Sequence, residues 1–263
     1  MRCELHCHST CSDGLEAPAV VGERARARGI ELFALTDHDT CAGSDAAGGI
    51  RAVEISCDDG GRSVHLLAFS RGAGFAALEA RLAAVREARR NRMRVMGAKL
   101  VQRGIRIDVE PLIEAAERAG RTIGRPDLAR AMIEHGVATS MKDAFNRFLY
   151  DGGPIDVPHR ALTLADAVAL GLEANAALSL AHPHLSDPAM LRAHRGITGV
   201  EAYYGAYDPK ERTRWIEIAD ELGLVCTGGS DWHGPEDGDA AGFEPGVELP
   251  DDRAEQLVRW LGR

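Results

Sequence analysis

The sequence ELFALT at residues 31–36 is a mostly apolar run that leads directly into Asp37, His38 and Asp39. An apolar run of this length, bounded by polar residues, predicts a buried β-strand. The carboxyl ends of parallel strands meet on one face of an α/β barrel, where catalytic groups collect. The polar triplet therefore indicates both the end of a strand and a candidate functional site.

Strands alternate with helices over much of the chain. Further strand candidates lie at 2–7, 51–56, 63–69, 177–181, 198–202 and 224–227. Helices are predicted from Pro18 to Gly29, and again at 187–194, 210–222 and 251–263. About seven β–α steps predict an α/β fold, either a parallel-strand barrel or a related layered arrangement.

Residues 71–155 interrupt this alternation with helical periodicity. Helices are predicted there at 111–119, 126–135 and 140–149. Because strands resume afterwards, we interpret this stretch as an inserted helical cap subdomain within a barrel domain formed by residues 1–70 and 156–263. The link between His38 and Glu54 is short, which predicts that the second barrel helix is truncated or absent.

Charge and composition limit the classes of partner. The chain has 31 basic and 40 acidic residues, a formal net charge of −9, which disfavours binding to long nucleic acids. No apolar run is long enough to span a membrane, and the N-terminus does not resemble a signal peptide. Six cysteines without a C-x-x-C pair are typical of reduced thiols, so we expect a cytoplasmic protein. The oligomeric state is left open.

Histidines and carboxylates cluster near the ends of the predicted strands. The histidines are His6, His8, His38, His65, His182 and His233, and the carboxylates are Asp13, Asp37, Glu54 and Asp231. His6 and His8 are two residues apart, so a strand would direct both imidazoles to one side. Each residue alone is more often structural than a ligand, but burying all of them would be costly without a shared partner. Metal ions are the simplest partner, and mixed nitrogen and oxygen ligands suit Zn, Mn or Fe.

A series of short motifs carries a family resemblance. It comprises His6-x-His8-Ser9, Ser12-Asp13-Gly14, Thr36-Asp37-His38-Asp39, Val53-Glu54-Ile55-Ser56, Val64-His65, Ala181-His182-Pro183 and Gly229-Ser230-Asp231-x-His233. In order and spacing this series resembles that of the PHP (polymerase and histidinol phosphatase) phosphoesterases. Arg86, Arg89, Arg92 and Gly124-Arg125 are similar to segments of the small members that act on nucleoside 3′,5′-bisphosphates, nucleoside monophosphates or 5′-phosphorylated oligonucleotides.

The resemblance implies a distorted, TIM-like (β/α)7 barrel that holds two or three divalent metal ions. The implied sites are His6, His8, Glu54 and Asp231; Glu54, His65 and His182; and Asp13, His38 and His233. Glu54 suits a bridging role because a carboxylate has two oxygens to share between ions. Asp37, which is not assigned as a ligand, could orient a ligating imidazole.

The implied reaction is hydrolysis of a phosphate monoester of a nucleotide or similar small phosphorylated metabolite by a metal-bound hydroxide. Glu54 and Asp231 would be catalytic through the ions they hold. His184, which replaces a common glycine after Pro183, is a candidate proton donor. Asp127 stands where the family often has histidine, which puts a substrate contact there in doubt.

Four basic side chains are candidates for binding the substrate phosphate: Arg125, Arg89, His159 and Arg160. Arg125 precedes a predicted helix, and guanidinium groups match phosphate oxygens well. For Arg89, a surface residue whose charged end reaches solvent is the alternative.

Other functions remain open at this point. A phosphodiesterase acting on a cyclic sugar phosphate, or a 5′→3′ exonuclease acting on short oligonucleotides, would use the same metal chemistry. An open groove beside the metals would favour the oligonucleotide, and a pocket closed by residues 71–155 would favour a mononucleotide. A non-catalytic metal-binding module is a further alternative.

Overall fold

The structure, a computed structural model, describes residues 1–72, 75–158, 162–235 and 244–263. Within these ranges, no helix combines the length and apolar character needed to cross a lipid bilayer. The strands are β1 (Arg2–Glu4), β2 (Leu32–Leu35), β3 (Ile50–Asp59), β4 (Arg62–Ser70), β5 (Ala176–Leu180), β6 (Gly199–Tyr204), β7 (Val225–Gly229) and β8 (Val247–Glu248).

The helices begin with α1 (Pro18–Ala27), α2 (Ser44–Ala47), α3 (Phe75–Gln102), α4 (Glu110–Arg118), α5 (Arg125–Glu134) and α6 (Met141–Ala144). They continue with α7 (Leu164–Glu173), α8 (Ala189–Ala193), α9 (Pro209–Leu222) and α10 (Asp251–Trp260). A π-helical turn at Phe145–Leu149 follows α6, and a 3₁₀ turn at Pro183–Leu185 follows β5.

One sheet contains these strands in the order β7-β6-β5-β4-β3-β2-β1-β8. Strand β4 runs antiparallel to both β3 and β5, and β8 runs antiparallel to β1. The two ends of the sheet meet where Leu5 N donates to Gly228 O at 3.1 Å and Cys7 forms a parallel bridge with Trp232. The sheet is therefore a nearly closed barrel, which confirms the predicted α/β barrel class and adds a short eighth strand.

Some element bounds differ from the prediction. Strand β1 has three residues instead of six, although the backbone after Glu4 still bonds to both neighbouring segments, as in the bond from Thr36 N to Cys7 O. Helix α2 has only four residues, which confirms the truncation expected from the short link. Helix α7 was not predicted, although Thr163 caps it by accepting a hydrogen bond from Asp166 N.

Two apolar cores are present, and helix α3 contributes to both. Its first half packs Leu78, Leu82 and Val85 into the core of the barrel. Its second half packs Met93 and Met96 into a separate core formed within residues 75–158, which we call the helical segment. The division of the chain into a barrel domain and a cap subdomain stays a prediction, since α3 belongs to both cores.

Helix α1 approaches α2 very closely at Gly22. A Cβ atom added to Gly22 would lie 2.1 Å from the carbonyl oxygen of Ala47, much closer than atoms can approach without a shift of backbone. Alanine favours a helix over glycine by about 1 kcal/mol, so propensity and packing act in opposite directions here.

We expect Gly22→Ala to lower the free energy of unfolding by about 1–3 kcal/mol, since overpacking against a carbonyl outweighs the gain in helix propensity. Urea denaturation followed by circular dichroism measures the change. The control Glu23→Ala alters an exposed residue of the same helix and should stay within about 0.5 kcal/mol of the wild type. A Gly22→Ala protein as stable as the wild type would contradict the close approach.

Candidate metal centre

Strands β3 and β4, together with the loops after β1, β2, β5 and β7, bring nine histidine and carboxylate side chains together. They form four overlapping groups in which the potential ligand atoms lie within 4.8 Å of one another. The groups are His8, Asp13, His38 and His233; His6, His8 and Asp231; His6, Glu54 and His182; and His38, Glu54 and His65. All nine residues predicted to bind metal therefore lie in one place, while their role as ligands stays a prediction.

Glu54 lies at the centre of this cluster and is fully buried. Its Oε1 atom is 2.8 Å from His65 Nδ1 and 3.1 Å from His182 Nε2, and its Oε2 atom is 2.8 Å from His38 Nδ1. Burial alone would raise the pKa of Glu54, but the imidazoles around it, His38 foremost, hold that pKa well below its usual range. The carboxylate is thus ionised and shared among several imidazoles.

Asp231 occupies a second point of convergence, just after β7. Its Oδ1 atom is 3.1 Å from His8 Nε2 and 3.3 Å from His6 Nε2, and its Oδ2 atom accepts a hydrogen bond from the Tyr204 hydroxyl at 3.0 Å. Burial would raise the pKa of Asp231, yet His6 and the other nearby imidazoles hold it well below its usual range.

Asp13 forms the third point of convergence. Its two oxygens lie 3.4 Å from His233 Nε2 and 3.6 Å from His38 Nε2. Burial lowers the pKa of His233, but the carboxylate of Asp13 outweighs this and raises that pKa to about 10. Asp13 thus favours the charged form of the His233 imidazole beside it.

Buried polar atoms without hydrogen-bond partners test whether a cation fits this cluster. Nine buried side-chain polar atoms of the described residues lack a hydrogen bond of acceptable geometry, and four of these nine atoms are His6 Nε2, Asp13 Oδ1, His38 Nδ1 and Glu54 Oε2. Each such atom costs about 1–3 kcal/mol if it stays unsatisfied. All four belong to the nine clustered side chains, and nitrogen and oxygen lone pairs are suitable ligands for Zn²⁺, Mn²⁺ or Fe²⁺. The donor set fits divalent cations.

Glu201 holds two of these histidines and was missed in the sequence analysis. Its carboxylate oxygens lie 3.0 Å from His6 Nδ1, and one of them accepts a hydrogen bond from His182 N at 2.7 Å. A carboxylate only accepts, so Nδ1 of His6 carries the proton and Nε2 presents its lone pair to the cluster. Glu201 interrupts the apolar strand β6 just as Glu54 interrupts β3, and this similarity could have identified it.

Glu4 is a second buried carboxylate that the sequence analysis missed. It accepts hydrogen bonds from Ser230 N, Ser230 Oγ and His6 N, so it links β1 to the loop that carries Asp231. Burial raises the pKa of Glu4 to about 7. Its place within a short strand next to His6 gave little signal in the sequence.

Two of the clustered residues have a left-handed backbone, which is uncommon for residues other than glycine. His182 has φ of +25° and Asp231 has φ of +57°. Such conformations persist where neighbouring bonds impose them. Glu201 fixes His182 N, and Asp231 N donates to His6 O at 2.7 Å, so the same network that binds the side chains also holds the strained backbone.

Asp37 acts on the cluster indirectly. It accepts hydrogen bonds at 2.7 Å from Ser9 N, Ser9 Oγ and Ser12 Oγ. Ser12 Oγ in turn lies 3.4 Å from His8 Nδ1. Ser12 therefore connects Asp37 to His8, and the role of Asp37 in orienting an imidazole stays a prediction.

A cavity of about 300 Å³ opens between the cluster and the helical segment. On the barrel side its lining includes Asp13, His38, His65, Asp231 and His233. On the other side its lining includes Arg89, Arg92, Arg125 and Phe145. Negative and positive side chains thus face each other across a space of small-molecule size.

Arg89 is buried in this wall. Its Nε atom donates to Asp39 Oδ2 at 2.6 Å, and Nη2 donates to Ser56 Oγ at 2.5 Å. With only 7% of the side chain exposed, the alternative of a surface residue reaching into solvent is wrong. Its contact with a substrate stays a prediction.

Arg125 is the first residue of α5 and also lines the cavity. Its Nη1 atom donates to Leu149 O at 2.9 Å and to Asp151 at 2.5 Å, and its guanidinium stacks over Phe145. Asp127 accepts a hydrogen bond from Gly124 N at 2.8 Å, so it stabilises the start of α5 from within the helix.

Of the remaining predicted site residues, only His184 lies within the described part of the chain. His184 is exposed, belongs to none of the four groups, and stacks its ring on Tyr204 at 6.4 Å between centroids. Its role as a proton donor stays a prediction. His159 and Arg160 fall outside the described residues.

Comparisons with known proteins find several relatives of this chain. No family model matches the chain. It is 32% identical to the 3′,5′-nucleoside bisphosphate phosphatase of Chromobacterium violaceum, covering 89% of this chain and 88% of that protein. It is 33% identical to the phosphoribosyl 1,2-cyclic phosphate 1,2-diphosphodiesterase of Eggerthella lenta, covering 88% and 94%. The 5′-3′ exoribonuclease Rnm of Salmonella typhimurium is 28% identical, covering 88% and 85%.

Two solved structures share the fold over nearly the whole chain. A proposed metal-dependent phosphoesterase of Bifidobacterium adolescentis has a TM-score of 0.83 and 29% identity, covering 99% of this chain and 98% of that one. A protein of Chromobacterium violaceum described as an amidohydrolase, with bound sulfate and no metal, has a TM-score of 0.82 and 30% identity, covering 98% and 96%.

We expect Glu201→Gln to weaken Mn²⁺ binding by about ten- to hundredfold, since an amide cannot accept hydrogen bonds from His6 Nδ1 and His182 N in the same way. Isothermal titration calorimetry on metal-free protein measures the change. The control Glu217→Gln alters an exposed residue of α9 and should bind Mn²⁺ as the wild type does. Equal affinities for Glu201→Gln and the wild type would contradict this role.

Proposed function

This chain belongs to the PHP family of metal-dependent phosphoesterases, and we propose that it removes a phosphate monoester from a nucleotide or a similar small phosphorylated metabolite. It is a phosphoric ester hydrolase that depends on divalent metal ions. The observation that carries the proposal is a cavity lined by five of the nine clustered side chains on one side and by three arginines on the other.

We infer that the cluster binds two or three cations, of which Mn, Zn and Fe are the candidates. The proposed sites are His6, His8, Glu54 and Asp231; Glu54, His65 and His182; and Asp13, His38 and His233. The four observed groups support this division, because each proposed site shares at least two residues with one of them. Glu54 is the proposed bridge, since each of its oxygens contacts different imidazoles.

The charge of such a centre favours a phosphate. Three divalent cations bring about six positive charges, and the ligands Asp13, Glu54 and Asp231 return about three negative ones. The remaining positive charge would attract a phosphate dianion, although the protein as a whole is acidic. When bound, the cations would supply an activated water and neutralise charge on the phosphate oxygens.

The side chains of the protein orient the reacting groups. Glu201 keeps the Nε2 lone pair of His6 directed into the centre. Tyr204 donates to Asp231 Oδ2, which leaves Oδ1 beside His6 and His8. In the described part of the chain, both hydrogen bonds of Arg125 use Nη1, so its Nη2 and Nε groups are available to a phosphate oxygen.

The size of the cavity favours a small substrate over an oligonucleotide. Ligand pockets for small molecules begin at about 300 Å³, and this cavity has about that volume. The helical segment covers it with Arg92, Arg125 and Phe145. The phosphatase of Chromobacterium violaceum acts on nucleoside bisphosphates and the structure from the same organism holds sulfate, a tetrahedral anion, which supports the same substrate class here.

Phosphate release from a set of phosphorylated compounds tests the proposal. We expect Mn²⁺-loaded protein to hydrolyse a nucleoside 3′,5′-bisphosphate or a nucleoside monophosphate faster than a cyclic ribose phosphate or a 5′-phosphorylated trinucleotide. EDTA should abolish the activity and added Mn²⁺ should restore it. Faster cleavage of the trinucleotide would favour the exonuclease, and faster cleavage of the cyclic ester would favour the phosphodiesterase.

Glu54→Gln removes the proposed bridging charge with little change in size. We expect it to lower kcat/KM by about 100-fold or more while far-UV circular dichroism stays unchanged. The control Glu87→Gln, on the exposed side of α3, should keep the activity of the wild type. Full activity in Glu54→Gln would refute the proposed centre.

Arg125→Ala tests whether the wall of the cavity opposite the clustered side chains binds the substrate. Losing a charge-assisted hydrogen bond should raise KM for the preferred substrate by about tenfold and leave kcat nearly unchanged, because Arg125 lies opposite the reacting centre. Steady-state kinetics measures both constants. Arg147→Ala, at an exposed position of the π-helical turn, is the matched control. A lower kcat at unchanged KM would contradict a role in binding.

A further inference from the structure

The helical segment donates hydrogen bonds to the backbone of the loop that carries Asp13. Three successive carbonyl oxygens of this loop, at residues 11–13, accept hydrogen bonds from the junction of α4 and α5 and from α5 itself. The donors are Thr122 N at 2.9 Å, Arg121 Nη1 at 3.3 Å and Arg130 Nη2 at 2.8 Å, in that order. A loop bound at three consecutive residues has little freedom to move.

The two arginines are themselves held by one carboxylate. Asp127 Oδ1 lies 2.8 Å from Arg121 Nη1 and 4.0 Å from Arg130 Nη1, and Asp127 is almost fully buried. Asp127 thus holds the guanidinium of Arg121 next to the Asp13 loop and lies at the outer limit of ion-pair distance from that of Arg130.

The helical segment also contacts Asp39, the residue next to the clustered His38. Arg86 Nη1 donates to Asp39 O at 2.8 Å, and Arg89 Nε donates to Asp39 Oδ2 at 2.6 Å. Asp39 directly follows His38 and has a left-handed backbone, with φ of +54°. Its other carboxylate oxygen accepts a hydrogen bond from Ser56 N at 2.7 Å.

The contacts to the Asp13 loop and to Asp39 hold the backbone next to members of a single group of potential ligands, which consists of His8, Asp13, His38 and His233. By contrast, His6 and His182 are held by Glu201 of β6, a strand of the barrel. The helical segment thus supports one end of the cluster, and the barrel supports the other.

We propose that Arg121 and Arg130 are positioning residues that hold Asp13 in place for a cation bound by this group. The helical segment then completes one cation site, whereas the barrel alone forms the others. The inference rests on the proposed metal binding of the cluster. Neither arginine is itself a ligand, because each reaches Asp13 through the backbone of its loop.

Cation binding to Arg130→Ala tests the inference. We expect one Mn²⁺ equivalent to bind about tenfold more weakly, because the Asp13 loop loses a bond, while the other equivalents keep the affinity of the wild type. Calorimetry and metal analysis after gel filtration measure affinity and stoichiometry. Arg130 is about one-third exposed, so its truncation leaves the core intact, and Arg130→Lys, which keeps a donor, should recover part of the affinity.

A double-mutant cycle shows whether Arg130 acts through Asp13. The Asp13→Ala protein should lose binding of the same Mn²⁺ equivalent. The double variant Asp13→Ala/Arg130→Ala should bind Mn²⁺ as the Asp13→Ala protein does. Arg121→Ala should act as Arg130→Ala does. The control Arg118→Ala, on the exposed side of α4, should bind Mn²⁺ as the wild type does.

Two results would overturn the inference: wild-type cation binding in both Arg130→Ala and Arg121→Ala, or a further loss of affinity when Arg130→Ala is added to Asp13→Ala. A wild-type protein that binds no divalent cation would instead refute the proposed function. The two failures are therefore distinguishable in one set of titrations.

Discussion

The burial of Glu54 among imidazoles is the constraint on which the rest of the site depends. A fully buried carboxylate requires compensating positive charge, and the imidazoles supply it only when they are protonated. Bound divalent cations would provide that charge at neutral pH and would also satisfy the buried lone pairs of His6, His38 and Asp13. The proposed cations would give these side chains one shared partner.

Further carboxylates form a layer around the cluster and give it a fixed geometry. Glu201 and Glu4 hold the histidine-bearing strands from the barrel side, and Asp37 holds the loop between Ser9 and Ser12. Each of them accepts backbone N–H groups as well as side-chain donors, so each orders the main chain at the site. Preorganisation of this kind is what distinguishes a catalytic centre from a chance group of histidines.

The sequence identified the barrel and all nine clustered residues, because histidine and carboxylate at strand ends form a rare and regular pattern. It missed Glu201 and Glu4, since a glutamate within a strand has the same local pattern whether it faces solvent or a buried imidazole. It also left Arg89 undecided between two roles, and only its contacts with Asp39 and Ser56 distinguish them. Such partners come from distant parts of the chain, and local periodicity does not report them.

Helix α3 has a consequence for the modularity of the fold. Its 28 residues form a helix about 42 Å long. The first half packs into the core of the barrel, and the second half packs into the core of the helical segment. A chimera that takes residues 75–158 from a relative must therefore keep the residues of α3 that pack against the barrel as well as those that pack within the helical segment. Variation in substrate preference among relatives is accordingly easier to reach by changing loops and single wall residues than by transplanting the whole insert.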